Sequence, residues 1–99
     1  MDEVVELAER LEMLIVLQWL DEGAPEDGKV AFSASTAASE LDLEEGREGL
    51  LELMEALSAL EERGVVQVAW PGGVGREAHV TLAHAVREDA ARQFGLGPG

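Results

Sequence analysis

The 99-residue chain contains no cysteine. Disulfides, thiol nucleophiles and thiolate-held metals are therefore excluded, and the composition fits a reducing compartment. Basic charge is scarce as well. Seven Lys and Arg stand against 21 Asp and Glu, for a formal net charge of −14. Affinity for nucleic acid depends heavily on Lys and Arg that neutralise phosphates, so charge disfavours a nucleic-acid partner. Long apolar runs are missing. The longest, MLIVLQWL at residues 13–20, is interrupted by Gln18 and is far too short to span a bilayer. The opening MDEVVELAER is acidic where a secretory signal would be basic. These absences lead us to expect a soluble, cytoplasmic protein without membrane contact.

Catalytic signatures are missing too. The chain has no GxSxG, no HExxH and no GxxxxGK[ST] phosphate loop. His79 and His84 are the only histidines, and without cysteine or a fixed carboxylate partner they make a poor zinc site. Serines lie mostly within residues 33–39, and no nucleophile–base pair stands out. Carboxylates are so numerous that pairs close in sequence say nothing about acid–base work. The expectation is a protein that is not an enzyme and needs no cofactor and no metal.

Apolar content of 46% and charged content of 28% match a globular protein. The length suits a single domain over residues 1–99 with one modest core, ending in a frayed tail at 95–99. Charge is unevenly spread. Residues 1–28 hold nine acids and only Arg10, and residues 29–64 hold nine acids with Lys29, Arg47 and Arg63. In residues 65–99 three acids balance Arg76, Arg87 and Arg92.

The spacing predicts a helix over residues 2–22. Val4, Leu7, Ala8, Leu11, Leu14 and Ile15 share one face, with Glu3, Glu6, Glu9 and Arg10 on the other. Asp2 and Glu3 suit the positive end of its dipole. From Met13 on, the helix is apolar on nearly all sides and must be covered on more than one. GAPEDG at 23–28 is a turn. Val30, Phe32 and Ala34 alternate as a short strand. Thr36 is placed to cap a short helix over 37–43. A long helix follows, starting near Arg47 or Glu48 because Gly46 and Gly49 each cost about 1 kcal/mol against Ala. Leu50, Leu53, Met54, Leu57 and Leu60 form its inner stripe, and Gly64 ends it. VVQVAW and AHVTLA are strands joined by the glycine turn 71–77, and 84–94 is a last short helix carrying Val86, Ala90 and Phe94. Gly72, Gly73 and Gly75 join two strands, not a strand and a helix, so a flexible hairpin is preferred to a phosphate cradle.

This order resembles the winged helix-turn-helix superfamily, as in the multiple-antibiotic-resistance-type and arsenic-repressor-type transcription regulators. STAASELDL is similar to the first helix of the pair and its turn, LMEALSALEERGVVQV to the end of the recognition helix running into the wing, and WPGGVGRE to the wing tip. The resemblance covers residues 30–94. It implies an α+β winged helix: a three-helix core, a small antiparallel wing sheet and a C-terminal helix. The stretch between Leu43 and Gly64 is somewhat longer than usual, and Asp42 stands where Gly is common. The largest departure is chemical. Such regulators read DNA with the N-terminal part of the recognition helix, which here is Leu43-Glu44-Glu45-Gly46-Arg47-Glu48-Gly49.

Two functions follow. The first is a non-enzymatic regulatory module acting through protein contacts, with Glu44, Glu48, Glu52 and Glu55 as an acidic face toward a basic protein partner. The alternative is a DNA-binding winged-helix transcription regulator that relies on Thr36, Arg47 and Arg76. Either would work as a homodimer, as the superfamily commonly does, with Leu14, Leu17, Trp19 and Phe94 at the contact. Core filling is the competing role for both Trp19 and Trp70, and a solvated surface is the competing role for the glutamates.

Overall fold

A computed structural model describes residues 2–44, 46–73 and 76–95, with side chains from Val5 onward. Val4, Asp2, Glu3, Glu45, Gly75 and the tail at 96–99, all used in the sequence reading, lie wholly or by their side chains outside the described residues. The elements are α1 (Asp2–Asp21), β1 (Lys29–Ser33), α2 (Ala34–Glu40), α3 (Arg47–Glu62), β2 (Val66–Ala69), β3 (Glu77–Leu82) and α4 (His84–Gln93). Among the described residues the fold is α+β: four helices and a three-stranded antiparallel sheet in the order β1-β3-β2. Val30 pairs with Val80, which pairs with Val68 on its other side.

One core joins all layers. Ala8, Leu11, Ile15, Val16 and Trp19 of α1 meet Leu53, Ala56, Leu57 and Leu60 of α3 and the inward Val30, Val66, Val80 and Leu82 of the sheet. Alternation makes the sheet one-sided: Ala78, Val80 and Leu82 are buried while Glu77 and His79 are exposed. Burying these side chains contributes roughly 1.5–3 kcal/mol for each large aliphatic residue.

The first three helices end alike. In α1, Gly23 N–H donates to the Leu20 carbonyl and Ala24 N–H to Trp19. In α2, Asp42 N–H donates to Ser39 and Leu43 N–H to Ala38. In α3, Gly64 N–H donates to Glu61 and Val65 N–H to Leu60. Each is a Schellman motif that satisfies the last carbonyls. Asp42 takes the left-handed conformation, at φ +57°, the geometry that Asp tolerates better than most residues.

The structure corrects several local expectations. Thr36 caps nothing. Helix α2 begins three residues earlier with Ser33 at the cap position, and Thr36 lies inside the helix, exposed. Ala34 is its first residue rather than part of the strand. Its N–H donates to the Arg76 carbonyl, which ends the ladder, and its side chain is fully buried. The inner stripe of α3 is rotated toward Gly49, Leu53, Ala56, Leu57 and Leu60, leaving Leu50 and Met54 half-buried and Leu51 exposed.

Gly49 shows why a glycine stands in the first turn of α3. A Cβ there would lie 1.9 Å from the Glu44 carbonyl oxygen. The segment before the helix runs directly over its first turn, and a side chain would push it off. Gly28 is pinned similarly. Its φ is +69°, and a Cβ would meet the Arg87 side chain and the Leu82 carbonyl.

Candidate functional site

On α3, Glu48, Glu52, Glu55 and Glu62 are separated by steps of four, three and seven residues, which sets them in one row along the exposed side. At a rise of 1.5 Å per residue the row is about 21 Å long. Glu44 is exposed just ahead of it, where its backbone crosses Gly49. None of these five carboxylates has an ion-pair partner among the described residues. Glu61, on the same helix, is engaged instead: it accepts the Val68 N–H of β2 at 3.2 Å. The row is therefore a band of negative potential with no ion pair to neutralise it among the described residues. Leu51, half exposed, lies between Glu48 and Glu55. Sequence reading gave Leu51 no role, because the apolar stripe was assigned one step away at Leu50.

Basic side chains do not gather in the same way. Arg47 and Arg63 bound opposite ends of the 16-residue α3, which puts them about 24 Å apart. Arg76 lies at the N-terminal end of α2, through its carbonyl bond to Ala34. Arg47 lies beyond the other end of α2. Thr36 lines a groove with Leu14, Leu17 and Phe32. Thr36, Arg47 and Arg76 thus belong to three different segments: α2, the start of α3 and the residue before β3. Arg87 is engaged within the fold: its guanidinium donates to the Leu82 carbonyl at 3.2 Å and to the Glu26 carbonyl, crossing over Gly28. Arg92 lies 3.8 Å from Asp89 on its own helix.

The residues expected at a dimer contact divide. Leu17 and Phe94 are nearly half exposed and Leu14 is half-buried. Trp19 is only 5% exposed and fills the core, with its indole N–H donating to the Pro25 carbonyl at 2.9 Å. It has no free surface to offer a second chain. Leu14 and Leu17 line a groove of about 340 Å³ between α1, β1 and α2. Phe94 lines a separate groove of about 180 Å³ between α1 and α4, together with Met13. Met13, 47% exposed, was missed, although its four-residue step to Leu17 was visible in the sequence.

Each histidine faces a neighbouring glutamate at the surface: His79 and Glu77 at 2.8 Å on β3, His84 and Glu88 at 2.9 Å on α4. No group of three or more metal-ligating side chains forms among the described residues. Among those residues no helix is long and apolar enough to cross a membrane. Compared with protein-family models, with curated proteins and with solved structures, the chain finds no match.

Proposed function

We propose that this protein is a cytoplasmic, non-enzymatic regulatory module of winged-helix type, a homodimer that turns the outer side of α3 toward a basic protein. The reading rests on one observation: Glu48, Glu52, Glu55 and Glu62 form an exposed row without ion-pair partners among the described residues. Unpaired carboxylates around the exposed Leu51 suit an apolar contact ringed by cationic side chains, which would also steer the encounter. The variant Glu48→Gln/Glu52→Gln/Glu55→Gln tests it by capture from native extract alongside the parent. Basic proteins held by the parent should be lost or weakened in the variant, most clearly at low salt. An unchanged set of captured proteins would leave the row as a solvated surface.

A second reading, a DNA-binding winged-helix transcription regulator, draws support from topology. The helix order and the strand order β1-β3-β2, with the turn between β2 and β3 leaving the end of the sheet, suit such a fold. Charge opposes it, because glutamates on the presumed reading helix would lie close to phosphates. Fluorescence anisotropy with genomic duplex fragments separates the two. We expect no submicromolar binding at physiological salt. Tight binding that falls steeply with salt would put the DNA reading first.

A further inference from the structure

Helix α1 carries Arg10, Leu14, Leu17 and Asp21 in a single row, at steps of four, three and four residues. Arg10 and Asp21 are exposed, Leu17 is 46% exposed and Leu14 is half-buried. This spacing is the same read in either direction, and the two ends carry opposite charges. We propose that a second copy of this chain covers the row, with the two α1 helices antiparallel about a twofold axis between residues 15 and 16. The inference rests on the homodimer reading above and fixes its orientation and register.

In this register Leu14 packs against the partner's Leu17, and Arg10 meets the partner's Asp21. A twofold axis generates each pair twice. The helices overlap over residues 10–21, about 18 Å at helical rise. The groove beside the row, lined by Leu14, Leu17, Asp21, Phe32 and Thr36, has room for the partner's leucines. Glu40, exposed at the end of α2, also lines this groove, and the other acids of α1 are turned or set away from the contact. Glu9 and Glu22 lie more than a quarter-turn off the row at 100° per residue, and Glu6 falls opposite residue 25 of the partner, beyond the end of its helix. A slip of four residues either way sets Leu14 against Asp21 or Arg10 against Leu17, so charge and apolar contact select the same alignment. Asp21 has no ion pair among the described residues. Arg10 makes one long bond, 3.4 Å to the Leu41 carbonyl, which leaves most of its five donors free.

The experiment is a charge swap read by sedimentation equilibrium of the full chain at micromolar concentration. The parent, Arg10→Glu, Asp21→Arg and the double variant are compared. We expect a parent dimer, a dissociation constant about tenfold weaker in each single variant, and recovery to within about threefold in the double. Asp21→Arg leaves the Arg10–Leu41 bond untouched, so its effect cannot come from lost folding at that contact. A monomeric parent would overturn both the homodimer reading and this pairing. A dimer indifferent to the single changes, or one that the double change does not restore, would overturn the pairing alone.

Discussion

Asp42 and Gly64 occupy the same place at the ends of two successive helices and answer its backbone demand differently. Both take positive φ, +57° and +75°, but only Asp42 carries a Cβ that crowds the following carbonyl. Asp42→Gly removes that crowding and also gives the unfolded chain more freedom, which offsets part of the gain. The net effect should be a stabilisation of about 0.5–1 kcal/mol in chemical denaturation. A loss would mean that the Asp42 side chain makes a contact worth more than the relieved strain. Gly49 predicts the reverse of its helix propensity. Replacing a mid-helix glycine by alanine ordinarily stabilises by about 1 kcal/mol. Here the added methyl meets the Glu44 carbonyl, so Gly49→Ala should destabilise by about 2 kcal/mol. A higher melting temperature instead would show that the segment over the first turn yields freely.

At the scale of the element, α3 separates two tasks by angle. Leu53, Ala56, Leu57 and Leu60 hold it to α1 and the sheet, and its glutamates face outward. Exposed carboxylates four residues apart repel by a few tenths of a kcal/mol and contribute little to folding. The triple change Glu48→Gln/Glu52→Gln/Glu55→Gln should therefore leave the melting temperature unchanged or slightly raised by calorimetry. A large drop would show that the row is paired within the fold, and the docking surface would have to be given up. Element order and the start of α3 near Arg47 were legible in the sequence, since periodicity and glycines mark them. The start of α2 was not, because Ala34 leaves the strand through a bond to the Arg76 carbonyl. That contact spans more than forty residues, and no local pattern shows it.

At the scale of the molecule, 21 acids against seven bases make the folded state repel itself more than the expanded chain does. Only three ion pairs form among the described residues, all on β3 or α4. Added salt should therefore stabilise the protein. Raising ionic strength from about 10 mM to about 150 mM shortens the Debye length from about 30 Å to about 8 Å, and the melting temperature should rise by about 2–5 °C. A fall on adding salt would point to an attractive network larger than these three pairs.

The α+β class, the order of the seven described elements, the helix stop at Gly64 and the acidity of the outer side of α3 are all written in local patterns, because each follows from periodicity, turn chemistry and charge count. Tertiary structure decided what those patterns leave open. It placed Trp19 in the core, since its indole N–H reaches the Pro25 carbonyl across the turn after α1. It left Met13, Leu17 and Leu51 exposed although their residue type alone suggests burial. It spread the arginines, because the two on α3 bound opposite ends of one rigid rod, and it used Arg87 to bind α4 to the loop before β1. Which side of an apolar helix is covered depends on the elements that pack against it, and that is a property of the assembled chain.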